Sequence, residues 1–215
     1  PPRSTLSPSS AASDVYKRQS PTKKADRIHV MGLPELEVPA WEELYGMCLQ
    51  LAEKIRESGI SPDLIVGIAR GGWPVGRVLS DLLGISKVAN LRIEFYEEVG
   101  KRGREARITQ PVSVDVKGKT VLLVDDVADT GISLKVAIEH LKERGAREVY
   151  VATLYYKPWS VVKPDFFIKE TKKWVVFAWE RYETYCNLKK RAMAEGMEEE
   201  AVSYTHLTLP TTERV

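Results

Sequence analysis

The stretch TVLLVDDVADTGISL, residues 120–134, constrains the fold more than any other part of the chain. Four consecutive apolar residues, Val121 to Val124, lack the alternation of a strand with one wet face, so both faces must be covered, as in a parallel sheet between helix layers. The strand then meets two adjacent carboxylates, Asp125 and Asp126, and turns through Asp129, Thr130 and Gly131 into a helical pattern. In an open α/β sheet, ligands bind beyond the carboxyl ends of the strands, where a helix N-terminus offers amides and a positive dipole to a phosphate. Gly131 lets backbone approach closely, while Thr130 and Ser133 add hydroxyls to the amides of residues 129–133. The turn reads as a monophosphate cradle. Asp125 and Asp126 diverge by strand alternation, so they reach different parts of one polar ligand. Carboxylates placed there suit ribose hydroxyls, Mg²⁺, or positive charge developing on a sugar. Each residue alone is more often a cap or turn former; their order after an apolar strand carries the functional reading. Neither a GxxxxGK[ST] nor a GxGxxG loop occurs.

Around this stretch, apolar runs alternate with amphipathic ones. PAWEELYGMCLQLAEKIRESG predicts a helix with Trp41, Leu44, Tyr45, Cys48, Leu51 and Ile55 on one face, after Pro39 and before Gly59. PDLIVGIA reads as a strand, ARGGWPVG as a Gly-rich turn and VGRVLSDLLG as a helix ending in glycine. KVANLRIEFY is the next strand, and EEVGKRGREARIT, charged and Gly-broken, reads as a mobile surface loop. SLKVAIEHLKERGA predicts a helix with Leu134, Ala137, Ile138 and Leu141 inward, and EVYVATLYYKP returns as a strand. Strands alternating with helices predict an α/β fold, an open, mainly parallel twisted sheet flanked by helices. DFFIKE and WVVFAWE are too short for another βαβ unit and are expected in a small cap. The domain is expected over residues 22–200, with the cap drawn mainly from 158–182 and an N-terminal contribution.

At 215 residues and 43% hydrophobic, the chain suits one core. Lys and Arg number 32 against 30 Asp and Glu, a net charge of +2, which excludes a global footprint for nucleic acid or membrane and leaves any anion site local. No apolar run approaches the roughly 18 to 20 residues that cross a bilayer, and the start lacks a secretion-signal pattern, so a cytoplasmic protein is expected. Cys48 and Cys186 form no CxxC, and His29, His140 and His206 share no metal spacing. Residues 1–21 and 201–215, rich in Ser, Thr and Pro, resemble adaptor read-through and are expected to be foreign or disordered tails.

VLLVDDVADTGIS resembles the phosphoribosyl diphosphate (PRPP) signature of type I phosphoribosyltransferases: four apolar residues, two acids, a short apolar step, then a third acid and TG-x-[ST]. Similarity extends from about Asp63 to Tyr182 and is greatest to the xanthine-guanine and hypoxanthine-guanine group. GIARGGWPVG looks like that family's pyrophosphate loop, with Arg70 and Gly71 on the diphosphate and a non-proline cis peptide between them. ATLYYKP is similar to the strand supplying a purine-reading lysine, here Lys157. KKWVVFAWE looks like the family's hood segment, with Trp174 above the base, Val175 beside it and Glu180 at its far side.

The resemblance implies a type I phosphoribosyltransferase-like sheet with a small hood subdomain. It implies transfer of a phosphoribosyl group from PRPP to a 6-oxopurine in purine salvage, with release of pyrophosphate. Ala128, Asp129, Thr130, Gly131, Ile132 and Ser133 would hold the 5′-phosphate; Asp125 and Asp126 would face the ribose, Asp126 approaching Mg²⁺; Asp129 would act as general base toward purine N7. The implied partners are PRPP and a purine base, with no nucleic acid or membrane, in a homodimer or higher homo-oligomer. The loop at 97–109 is expected to close over the diphosphate. Two departures stand out: Ile132, where purine enzymes often carry Lys or Gly, and Glu180, where many carry Asp. The rivals are a PRPP-sensing regulator that binds RNA or DNA, whose basic surface is limited to KRGREAR and LKKR, and an enzyme for adenine or orotate, against which Lys157 and Trp174 argue.

Overall fold

The apolar run of residues 121–124 lies at the centre of the sheet. In the computed structural model, which describes residues 35–97 and 104–194, β5 (Thr120–Ala128) lies between β2 (Leu64–Ala69) and β6 (Glu148–Tyr156), parallel to both. β3 (Val88–Glu97) flanks β2, β4 (Arg104–Gln110) flanks β3, and β7 (Phe166–Glu170) flanks β6, giving the order β4-β3-β2-β5-β6-β7 with β4 alone antiparallel. Leu122 and Val124 face one apolar layer with α1 (Trp41–Glu57) and α2 (Gly72–Leu83); Val121 and Leu123 face the other with Leu134, Ala137 and Leu141 of α3 (Ile132–Glu143). All four strand residues are fully buried, each contributing about 1.5–3 kcal/mol of transfer free energy. This double covering is why the run shows no alternation.

Beside the main sheet, β1 (Leu36–Glu37) pairs in parallel with β8 (Trp174–Val175), Leu36 opposite Trp174 and Glu37 opposite Val175. α4 (Arg181–Ala194) follows. Glu37 binds this small sheet to the large one, its carboxylate accepting from Lys169 Nζ at 2.5 Å and Thr171 Oγ1 at 3.1 Å. Among the described residues, no helix is long and apolar enough to cross a membrane.

Four expectations are corrected. DFFIKE forms β7 at the edge of the main sheet rather than part of the cap: β6 would otherwise expose a row of unpaired backbone groups, and Phe166 and Ile168 pack on the α1 layer. Residues 104–110 form β4 rather than loop; Glu105 and Arg107 are exposed while Ala106 and Ile108 pack inward, as suits an edge strand. Residues 98–103, the centre of the 97–109 loop, and the terminal segments 1–21 and 201–215 lie outside the described residues. On α1, the inward face is Leu44, Met47, Cys48, Leu51, Ala52 and Ile55, while Trp41 and Tyr45 are about half exposed. The helix buries its 44-47-48-51 stripe, and Trp41 packs against Trp179 instead, ring centroids 5.5 Å apart. Finally, α2 begins at Gly72, not at Val75, because Gly71 is already helical.

Gly72 places α2 directly on β5. A Cβ there would lie 2.3 Å from the Val124 carbonyl oxygen and 2.8 Å from Asp125 Cα, whereas one at Gly76 would meet nothing nearer than Ile65 Cγ2 at 3.5 Å. Gly72→Ala is therefore expected to cost about 1–3 kcal/mol as an overpacked contact, and Gly76→Ala to gain about 0.5–1 kcal/mol of helix propensity. Urea denaturation of both variants checks the pair; equal midpoints would contradict the close approach of α2 to β5.

Candidate functional site

β5 delivers its last residues to a turn that the neighbouring segment clamps. Gly131 sits at φ 77°, a left-handed conformation that suits glycine, and caps α3 without a side-chain hydrogen bond. The first helical donor is Lys135, bonded to the Gly131 carbonyl at 3.0 Å, so the amides of Ile132, Ser133 and Leu134 precede the helical ladder. Thr130 Oγ1 accepts a long bond of 3.4 Å from the Ile132 amide. Segment 157–162 is laced onto this turn: Lys157 N donates to the Ala128 carbonyl and Val161 N to the Thr130 carbonyl, both at 3.0 Å. A Cβ on Gly131 would stand 2.4 Å from Ser160 Oγ and 2.7 Å from Val162 N. Beside the turn lies a cleft of about 420 Å³, walled by Phe95, Asp125, Val127 and residues 129–134. Amides, hydroxyls and the α3 dipole lie together there, an arrangement chemically suited to a phosphate ester.

Asp125 and Asp126 separate as strand alternation requires. Asp125 lines the cleft, whereas Asp126 is buried, accepting from Trp179 Nε1 at 3.3 Å and pressing on Gly71, where a Cβ would lie 2.2 Å from Asp126 Oδ2. Burial, then repulsion from Asp126, holds the Asp125 carboxyl well above the usual range. Burial raises Asp126 to about 6, partly offset by the Trp179 hydrogen bond. Burial, reinforced by Asp126, raises Glu180 to about 7, and Glu180 Oε1 accepts from Phe177 N at 3.3 Å. Arg70, exposed at the end of β2, pairs with Glu183 of α4. The cis peptide is Ala69–Arg70, not Arg70–Gly71 as expected. Ala69 is the last residue paired with β3, and Gly71 and Gly72 already enter the helix against β5, so the chain changes direction one residue earlier.

Lys157 is only 5% exposed, its Nζ donating to the Lys173 carbonyl just before Trp174. Burial pushes the ammonium below its usual range, against the pull of Asp129 and Glu37. The same Nζ lies 5.5 Å from the centroid of the Trp159 ring, and Trp159 Nε1 donates to Asp129 Oδ1 at 3.2 Å.

The expected residues thus fall into three connected groups. Asp125, Asp129, Thr130, Gly131, Ile132 and Ser133 share the cleft. Ala128 is buried and contributes its carbonyl to Lys157 rather than a surface. Asp126, Glu180, Arg70 and Gly71 form the acidic side with Trp179 and Glu183, and Lys157, Trp174 and Val175 meet at the small sheet. Sequence reading missed Phe95, Trp159, Glu183 and the clamp by Ser160 and Val161. Trp159, two residues after Lys157, carried the one usable signal, an aromatic adjoining a candidate site lysine. Among the described residues, no three His, Cys, Asp or Glu side chains form a metal-holding cluster. Asp125 and Asp126 are at most a two-carboxylate anchor, which fits Mg²⁺, a hard cation that takes most of its ligands from water and phosphate oxygens.

Two outcomes follow from this geometry. A carboxyl raised in the folded state binds more protons than in the unfolded chain between its two pKa values, so it costs stability as pH rises through that window, here from 3.8 to about 6 for Asp126. Asp126→Asn should raise the melting temperature at pH 8 by at least about 2–4 °C, the shift 1 kcal/mol produces at this size, and leave it nearly unchanged at pH 4; calorimetry at both pH values checks this. Gly131→Ala should cut affinity for ribose 5-phosphate at least about tenfold, or 1.4 kcal/mol, by prying residues 157–162 from the turn. Titration calorimetry on the folded variant measures it.

The chain is similar to known proteins over most of the described residues. Residues 37–184 match the model of the phosphoribosyl transferase domain. The chain is 41% identical to a purine phosphoribosyltransferase of known structure from Pyrococcus horikoshii, with a TM-score of 0.61 over 67% of this chain and 93% of that one. It is 35% identical over 111 residues to the orotate phosphoribosyltransferase of Saccharolobus solfataricus, 51% of each chain, so it spans about half that relative's length. It is 30% identical over 142 residues to the xanthine-guanine phosphoribosyltransferase of Nitratidesulfovibrio vulgaris, 65% of this chain and 82% of that one. The match covers the acidic pair, the Gly131 turn and Lys157 alike, and the chain belongs to the phosphoribosyl transferase domain family.

Proposed function

We propose that the protein transfers the 5-phosphoribosyl group of PRPP to N9 of a 6-oxopurine (guanine, xanthine or hypoxanthine), releasing pyrophosphate. The observation that supports this reading best is Lys157, a donor-only cation held in a buried position at the end of β6 and electrostatically coupled to Asp129. In this reading the amides of residues 129–133 hold the 5′-phosphate, and Arg70 and Gly71 receive the diphosphate. The exposed Arg70–Glu183 pair is worth little, about 0–1 kcal/mol, so an incoming diphosphate displaces Glu183. Lys157 donates to the 6-oxo group, Trp174 stacks on the ring, Val175 adjoins it and Glu180 reads its far side. Purine N9 attacks the anomeric carbon; the N9–C1′ bond forms as the C1′–oxygen bond breaks, its electron pair leaving with pyrophosphate, and the N7 proton passes to Asp129. Asp125 and Asp126 stand beside the ribose, where their charge stabilises the oxocarbenium-like transition state. They are also where this chain would hold Mg²⁺, Asp126 foremost, which when bound neutralises charge on the leaving diphosphate.

A second reading, an enzyme for another base, is favoured by the likeness to an orotate enzyme. Supplying PRPP and Mg²⁺ with guanine, hypoxanthine, xanthine, adenine and orotate in turn, and weighing each product, separates the two; PRPP binding without turnover on any base would point to a regulator. For the purine reading, 6-oxopurines should outrun adenine by up to about 10⁴ in kcat/KM, because adenine brings a donor to the place where Lys157 also donates. Lys157→Ala should erode that preference, and Trp174→Ala should weaken every accepted purine alike, since stacking is nearly indifferent to the ring's substituents. A wild type that uses adenine as readily as guanine would remove Lys157 from base choice.

A further inference from the structure

Trp159 occupies a place that packing alone does not explain. It follows Lys157 and Pro158 in the segment laced onto the Gly131 turn, and the residue is 52% exposed, so it adds little to either apolar layer. Both of its chemical faces are nonetheless used. The indole N–H donates to Asp129 Oδ1 at 3.2 Å, and the ring lies under the Lys157 ammonium, 5.5 Å from centroid to Nζ. The backbone bonds of Lys157 to Ala128 and of Val161 to Thr130, together with Ser160 N to the Lys157 carbonyl at 3.0 Å, fix the loop on both sides of the indole. One exposed aromatic thus bridges the two groups assigned to the base.

We propose that Trp159 is a positioning residue of the transfer reaction, its indole N–H holding one oxygen of Asp129 so that the other meets the purine proton; this rests on the reading of Asp129 as proton acceptor. A carboxylate on a surface turn otherwise samples several rotamers, and only one serves a proton on a ring that Lys157 and the hood hold fixed. The hydrogen bond selects that rotamer, and the Lys157 contact keeps the indole from swinging away. The residue acts on the chemical step and leaves the phosphate cradle untouched, because no phosphate-facing amide belongs to it.

The test is Trp159→Phe, which keeps the ring and removes the donor. With a 6-oxopurine accepted by the wild type, kcat should fall about tenfold while KM for PRPP stays within about twofold. In an Asp129→Asn background the same change should alter kcat less than about twofold, as coupled residues require. Indole N–H signals from ¹⁵N-labelled protein supply a readout free of turnover: the chain has five tryptophans, the Trp159 signal is the one lost in Trp159→Phe, and Asp129→Asn should move it upfield. An unmoved indole signal, an unchanged kcat in Trp159→Phe, or an equal loss in the Asp129→Asn background each overturns the proposal. A wild type that transfers to no base removes the purine reading itself, and with it a catalytic place for Trp159. A wild type that transfers while Trp159→Phe is unimpaired removes the role of Trp159 alone.

Discussion

The absence of a side chain at Gly131 is the constraint on which the site depends. The turn after β5 and the segment after β6 approach until a single methyl group would collide with Ser160 and Val162. At that distance the carbonyls of Ala128 and Thr130 are spent on Lys157 and Val161, leaving the amides at the start of α3 as the turn's polar face. Two adjacent parallel strands thereby act as one device. β5 brings the acids and the Gly131 turn, and β6 brings Lys157 and Trp159, in register from Asp125 opposite Thr153 to Ala128 opposite Tyr156.

A second consequence of close packing is electrostatic. Gly71 and Gly72 let α2 sit so near β5 that Asp126 loses its water, and Glu180 and Trp179 close the same space from the hood side. Acids gathered in a dry corner repel one another and hold protons to near-neutral pH. Such a corner is unfavourable for folding in isolation and favourable for binding a positively charged centre, a common exchange of stability for function.

The parts legible in the sequence were those decided by local pattern. The run 121–124 signalled a doubly covered strand because burial on both faces removes alternation, and DDVADTGIS revealed its turn through the order of acids and glycine. What stayed hidden depended on neighbours distant in sequence. Phe166 and Ile168 read as a fragment of a cap because nothing local says that β6 has an open edge. Arg107 and Glu105 made β4 look like loop, since an edge strand advertises its solvent face. The pairing of Trp159 with Asp129 spans 30 positions, and that of Arg70 with Glu183 spans 113, separations at which no spacing rule operates. The resemblance puts the cis peptide one bond late, and no local pattern marks the residue at which strand pairing ends.

The small β1–β8 sheet is bound to the main one by the protein's own contacts. Lys157 reaches the Lys173 carbonyl, Val176 N donates to the Glu37 carbonyl at 2.8 Å, and the Glu37 carboxylate takes Lys169 and Thr171. Burial pushes that carboxyl up, but these hydrogen bonds, with one from Tyr155, and the Lys169 charge outweigh it and keep Glu37 below the usual carboxylate range. The small sheet is therefore preorganised. A flat ring bound against it, as in the proposed transfer, would freeze few rotors that folding has not already frozen, and the entropy that binding would otherwise surrender has been lost once, when the chain folded.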